Sequence, residues 1–184
     1  LRDIVGDIIS ADERAADVIF RLRSLLQRGE PNLQDCDLNT AVGDAIGHLA
    51  GEFRKQDISL HRNLDRELPL ASADRILLVQ VFLNLLGNAR DAVIQNPVGQ
   101  RIVKIESSAN EHDLVVSVED NGGGLDGDID RIFDPFMTSK KEGLGMGLAI
   151  AKSIVEAHDG KIRASSIAGS GALLQVSIPR KYVA

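Results

Sequence analysis

The sequence predicts a two-layer α/β sandwich, a sheet with helices on one of its faces, preceded by one long helix that belongs to a separate bundle. Three observations predict it. Alternating strand patterns come in hairpin pairs with helical patterns between them, which is the signature of helices segregated to one face of a largely antiparallel sheet. The first 28 residues carry an unbroken helical repeat. A Gly-Pro break then separates that repeat from everything after it.

In the leading helix, Leu1, Ile4, Ile8, Ala11, Ala15, Val18, Leu22 and Leu25 alternate three- and four-residue steps, a heptad seam. Val5, Ile9, Ala16, Ile19 and Leu26 add a second apolar stripe beside it, the width expected of a helix in a four-helix bundle. Residues 29–37, with Gly29 and Pro31, read as a linker, and residues 38–184 as the main domain. There, Val42, Ala45, Ile46, Leu49 and Phe53 predict a helix from Asn39 to about Gln56, and Ile58 to Leu64 a strand. Ser72 or Asp74 caps a long apolar helix running to about Gln95, closed by Pro97 and Gly99. Val103 and Ile105, then Leu114, Val116 and Val118, predict an antiparallel pair joined through Ser107–Asp113. A helix from Leu148 to Ala157 and a last strand pair, Ile162–Ala164 with Leu174–Ile178, complete the outline.

With 184 residues, 43% of them hydrophobic, the chain can close one ordinary core beside its leading helix. Its 21 Lys and Arg against 27 Asp and Glu, net −6, disfavour nonspecific nucleic-acid binding, which depends on neutralising phosphates. Any anion must therefore be held by local geometry. The lone Cys36 has no partner for a disulfide and suits a reducing compartment such as the cytoplasm. No run approaches 18 consecutive apolar residues, so no membrane contact is expected of these residues. A sequence that opens in mid-pattern without Met reads as cut from a longer one.

Four segments carry chemistry. Asn84, Asn88 and Asp91 lie at i, i+4 and i+7 of the long helix and share one face; carboxamide oxygens suit Mg²⁺, which shares its site with substrate phosphates. The bland reading is a solvated stripe. Asp120-Asn121-Gly122-Gly123-Gly124 follows a strand directly, placing a carboxylate at the core edge with flexible residues behind it, although Asn-Gly also punctuates ordinary turns. Phe133-Asp134-Pro135-Phe136-Met137-Thr138-Ser139-Lys140 lies in a polar, Gly-rich stretch that reads as a lid, with Phe133 and Phe136 as hydrophobic anchors and Lys140 as a point charge for phosphate, or else as a plain surface loop. Gly143-Leu144-Gly145-Met146-Gly147-Leu148 runs into a helix, whose N-terminal amides and dipole favour anions.

Taken in order, these segments resemble the N, G1, F and G2 boxes of sensor histidine kinases, in the superfamily that also holds Hsp90, DNA gyrase and MutL. The resemblance spans about residues 37–179 and implies a Bergerat ATP-binding fold with a mixed sheet. It implies that ATP and Mg²⁺ bind: Asn88 as metal ligand, Asn84 beside the phosphates, Asp91 supporting, and Asp120 holding the adenine amino group in a pocket shaped by Gly122 and Gly124. Phe133, Thr138, Ser139 and Lys140 would line the lid, with Lys140 on the terminal phosphates. Gly143, Leu144, Gly145, Met146, Gly147 and Leu148 would wrap them, and Leu173 stands where many relatives have Thr or Ser. The leading helix resembles the second helix of the dimerisation and phosphotransfer bundle of the nitrogen-regulatory and oxygen-sensing branch.

Hydrolysing relatives carry a Glu at the position of Asn84, and a carboxamide cannot take a proton from water at neutral pH. Transfer to a better nucleophile is therefore expected, with Asn84, Asn88 and Lys140 as the catalytic set. The implied partners are a bundle helix carrying the acceptor histidine, a response-regulator receiver domain, and a second copy in a homodimer. His48, His61, His112 and His158 all lack the acidic and Pro neighbours of the family's acceptor, so the acceptor helix is expected to precede Leu1. The alternatives are an ATPase or conformational clamp, and a nucleotide-sensing interaction module without transfer.

Overall fold

A computed structural model describes residues 30–125, 127–138, 145–167 and 171–181. The leading helix and Ser139, Lys140, Gly143 and Leu144 lie outside the described residues. From Pro31 onward the chain forms a unit of its own.

Its strands and helices follow in the order β1 (Gln34–Cys36), α1 (Leu38–Lys55), β2 (Ile58–Leu64), β3 (Ala71–Ala73), α2 (Arg75–Val93), β4 (Arg101–Ala109), β5 (Asp113–Asp120), a 3₁₀ turn (Ile129–Phe133), α3 (Gly147–Ala157), β6 (Lys161–Ser166) and β7 (Ala172–Pro179). The main sheet has five strands in the order β2-β4-β5-β7-β6, with β2 parallel to β4 and every other pair antiparallel. This is the mixed sheet implied by the resemblance. The three helices pack on one face of it, and the core lies between the layers.

Local chemistry sets the helix starts. The Asp37 carboxylate accepts the Asn39 N–H at 2.8 Å and so caps α1, which buries Leu38, Ala41, Val42, Ala45, Ile46 and Phe53. Asp74, rather than Ser72, caps α2, accepting the N–H groups of Ile76 and Leu77 at 3.0 and 3.2 Å. By length and composition α2 could cross a bilayer. Here it is the central core helix, with Leu78, Val81, Phe82, Leu85, Leu86 and Val93 fully enclosed.

His158 joins the far ends of two helices. Its Nε2 accepts the Asp74 N–H at 2.9 Å, so the ring proton must sit on Nδ1, which donates to the Ile154 carbonyl at 2.7 Å. The end of α3 is thereby fastened to the cap of α2 through a buried side chain. This is a structural role, as expected for a histidine without an acceptor motif.

Three differences from the sequence reading have local causes. Gln34–Cys36, inside the segment read as linker, pairs antiparallel with Ala71–Ala73; strands of three residues are too short to show a period. Burial of Cys36 in this small sheet pushes its thiol up from the ordinary value. Second, β4 continues to Ala109 because Ser107, though polar, has partners inside: its hydroxyl donates to Asn39 Oδ1 at 2.7 Å and accepts the Asp65 N–H at 2.9 Å. The hairpin turn thus shrinks to Asn110–His112, where Asn110 Oδ1 accepts two backbone N–H groups. Third, the Gly-rich stretch holds the 3₁₀ turn that buries Phe133.

His158→Ala should lower the unfolding free energy by about 1–3 kcal/mol, since it strands the buried Asp74 amide. Urea denaturation of the two proteins measures this, and equal midpoints would refute the tie.

Candidate functional site

The period of two along β5 turns Leu114, Val116, Val118 and finally Asp120 toward the helices. A carboxylate therefore ends the strand on the core side, only 6% exposed. Burial pushes its pKa up from the ordinary carboxylate value, and hydrogen bonds from the Gly122 and Ala172 amides offset only part of that. The bond from Gly122 N–H measures 2.8 Å. Among the described residues no basic side chain pairs with this carboxylate. It is a buried acceptor suited to a neutral donor such as an exocyclic amine.

The loop after Asp120 is pressed onto α2. A Cβ on Gly122 would stand 2.6 Å from the Ala92 carbonyl oxygen, so only glycine fits there. Gly124, at φ +84°, lies against Gly171, and a Cβ on Gly171 would fall 2.0 Å from the Asp120 carbonyl oxygen. Asn121 locks the loop in register. Its Oδ1 accepts the Ile102 N–H at 2.9 Å, its Nδ2 donates to Gln100 O at 2.7 Å, and Asn96 Nδ2 donates to its carbonyl at 2.8 Å.

Along the same helix, Asn84, Asn88 and Ala92 fall at four-residue steps, one line on one face. From Ala92 to Asn84 that line runs about 12 Å at the helical rise. Asn84 is 9% exposed; its Oδ1 accepts from Gln80 Nε2 at 3.4 Å, and its Nδ2 is buried without a partner among the described residues. Gly147, the first residue of α3, lies beside it, since a Cβ there would stand 3.5 Å from Asn84 Oδ1. The residue before it, Met146, is buried and has no side-chain oxygen to cap the helix. The first amides of α3 are thus left without a side-chain cap at the Asn84 end of the line, suited to an anion. Asn88 is half-buried between the two ends. Asp91 is turned toward Arg90, whose guanidinium donates to it at 2.7 Å and also bridges Glu52 on α1.

Phe133 anchors its segment as expected, with Lys152 Nζ 5.9 Å from its ring centroid. Phe136 does not: it is 72% exposed. Its backbone adopts φ +67° so that its N–H can reach Gly145 O at 3.0 Å, and this turns the ring outward. Gly145, at φ +65°, has no room for a Cβ, which would be 2.7 Å from the Phe136 carbonyl carbon. Thr138 is exposed and Leu148 half-buried. Leu173 pairs with Glu119 on the opposite sheet face, and the residue facing Asp120 is Ala172.

Gln80, Asn96 and Gly171 were not singled out by the sequence reading, and Asn121 entered it only as part of an Asn-Gly turn signal. Of the first three, only for Gly171, in a turn-like Ala-Gly-Ser-Gly run, was there a signal, and it indicated a hairpin rather than contact with Asp120. Among the described residues no cluster of three or more His, Cys, Asp or Glu could hold a metal. A cation here would take most of its ligands from substrate phosphates and water, the usual arrangement for Mg²⁺.

The model of the histidine kinase-, DNA gyrase B- and HSP90-like ATPases matches residues 73–182. The chain belongs to this family. Similar curated proteins are the sensor histidine kinase TmoS of Ectopseudomonas mendocina, 38% identical over 97% of this chain, and the sensor protein FixL of Bradyrhizobium diazoefficiens, 37% identical over 90%. This chain spans 19% and 33% of their respective lengths. Among solved structures, the nucleotide-free catalytic domain of histidine kinase ThkA superposes with a TM-score of 0.71 at 29% identity, covering 80% of this chain and 95% of that one. Full-length ShkA in complex with AMPPNP gives 0.76 at 25% identity, over 91% of this chain and 35% of that one. The family binds ATP, and the candidate site of this chain runs from the buried carboxylate of Asp120 to the buried carboxamide of Asn84 beside Gly147.

Gly122→Ala should destabilise the domain by about 1–3 kcal/mol, because the methyl must part the loop from α2, and should weaken nucleotide binding well beyond that global loss. Thermal melting with and without nucleotide measures both. For Asp120 the folded pKa lies above the unfolded one, so its contribution to stability is fully present at low pH and is lost as pH rises through the folded value. The stability of Asp120→Asn relative to wild type should therefore increase as pH rises out of the ordinary carboxylate range and then level off, while adenine binding is lost. A difference that stays flat with pH would contradict the raised pKa.

Proposed function

We propose that this chain is the catalytic part of a two-component sensor histidine kinase. It binds Mg·ATP and transfers the γ-phosphate to a histidine on a bundle helix outside this sequence, for relay to a response-regulator receiver domain. Residues 1–28 then supply the second bundle helix, 29–37 the connection, and 38–184 the ATP-binding domain; the parent is a homodimer whose kinase part works in the cytoplasm. The observation that carries the reading is Asn84: a buried carboxamide stands against the start of α3, where hydrolysing relatives carry a Glu. Nothing at that position can take a proton from water.

Asn88 would hold Mg²⁺, which when bound would supply positive charge against the phosphates. Asn84 and the α3 amides would hold the phosphates in line, and Lys140, with Ser139, Gly143 and Leu144, would complete their surroundings. Asp120 would accept the adenine amino proton. Catalysis of this kind is positioning plus electrostatic stabilisation, with the nucleophile supplied by the acceptor imidazole.

Incubating the chain with γ-labelled ATP and a separate two-helix acceptor bundle should label the bundle in an acid-labile form, and Asn88→Ala should abolish Mg²⁺-dependent labelling. Free phosphate released with no label on the acceptor would favour an ATPase or conformational clamp. Binding without either outcome would favour an interaction module.

A further inference from the structure

We infer that Gln80 is a positioning residue: it holds the oxygen of the Asn84 carboxamide, so that Asn84 meets the triphosphate with its NH₂ group, as a hydrogen-bond donor rather than a metal ligand. The inference rests on the nucleotide-binding reading above.

Gln80 lies one turn before Asn84 on α2, and its Nε2 donates to Asn84 Oδ1 at 3.4 Å. The acceptor end of Asn84 is thereby engaged. Its donor end, Nδ2, is buried and has no hydrogen-bond partner among the described residues. A buried donor left unpaired costs about 1–3 kcal/mol, and such groups are rare enough that each needs a reason. An NH₂ group carries two donors and no acceptor capacity, so a cation cannot relieve it. A phosphoryl oxygen can. Gly147 opens α3 beside the Asn84 carboxamide, where a Cβ would stand 3.5 Å from Oδ1. Under the reading above the metal falls to Asn88, one turn further on, which divides two chemically identical side chains between two tasks.

The division depends on what stands at position 80. A glutamine can donate to Asn84, whereas a glutamate can only accept. With Gln80→Glu, the Asn84 amide turns over so that Nδ2 reaches the new carboxylate, and Oδ1 then faces the phosphates as a like-charged neighbour.

The test is a set of binding titrations of the purified chain with Mg·AMPPNP and with adenosine. Wild type should bind both. Gln80→Glu should bind Mg·AMPPNP about tenfold more weakly or worse, the worth of one charge-assisted hydrogen bond, while binding adenosine as wild type does. Gln80→Met, which lacks the donor but keeps the shape, should fall between. In an Asn84→Ala background, Gln80→Glu should add no further loss. Wild-type affinity for Mg·AMPPNP in Gln80→Glu, an undiminished loss in the Asn84→Ala background, or equal losses for both ligands would each overturn the inference. Failure of the wild-type chain to bind either ligand would instead overturn the nucleotide reading on which it stands.

Discussion

The site depends on one close approach, the backbone of Gly122 lying on the last turn of α2 at Ala92. Because no Cβ intervenes, the end of β5 and the last turn of α2 lie side by side as the two walls of the candidate site. A methyl there would separate the walls, leaving Asp120 and the Asn84–Asn88 line as features of two different surfaces. Gly171 does the same on the other side, letting the first turn before β7 touch the Asp120 backbone. Two glycines thus fix the position of Asp120, the one buried carboxylate among the described residues.

Around that contact the chain uses polar groups as fasteners. Asn121 and Asn96 bind the loop to the end of α2, and Arg101 donates from one guanidinium to the carbonyls of Asn96, Gln56 and Ile94 at 3.0, 2.6 and 3.0 Å. Those carbonyls belong to the ends of α1 and α2, which would otherwise lack partners. At the opposite end, His158 and Asp74 tie α3 to the start of α2. The helix that carries both asparagines is therefore anchored at each terminus.

Most of the fold was legible in the sequence because long amphipathic helices and strands declare their period: α1, α2 and α3 fall within two residues of where Val42, Leu85 and Leu148 placed them. What escaped was short or satisfied by distant partners. The strands at Cys36 and Ala71 are brief, and Ser107 looks like a turn residue until Asn39 and Asp65 arrive from elsewhere in the chain. Of the site, Asp120, Gly122, Asn84 and Gly147 were readable from local motifs, since glycine and buried polar residues stand out against their neighbours. Gln80, Asn96 and Asn121 were not, because their importance lies in which atom they bond. The outward turn of Phe136 was equally hidden, being a backbone event that an apolar residue type does not announce.

The bond between Phe136 N–H and Gly145 O closes the chain on itself, with both partners in left-handed backbone and packed face to face. Whatever lies between these two residues starts and ends at one fixed point. The free energy of such a closed span rises only with the logarithm of its length, about 0.6 kcal/mol for each doubling. Residues can therefore be gained or lost between Phe136 and Gly145 while the elements that carry Asn84 and Asp120 keep their places, so the length of this segment is free to diverge far faster than the residues of the candidate site.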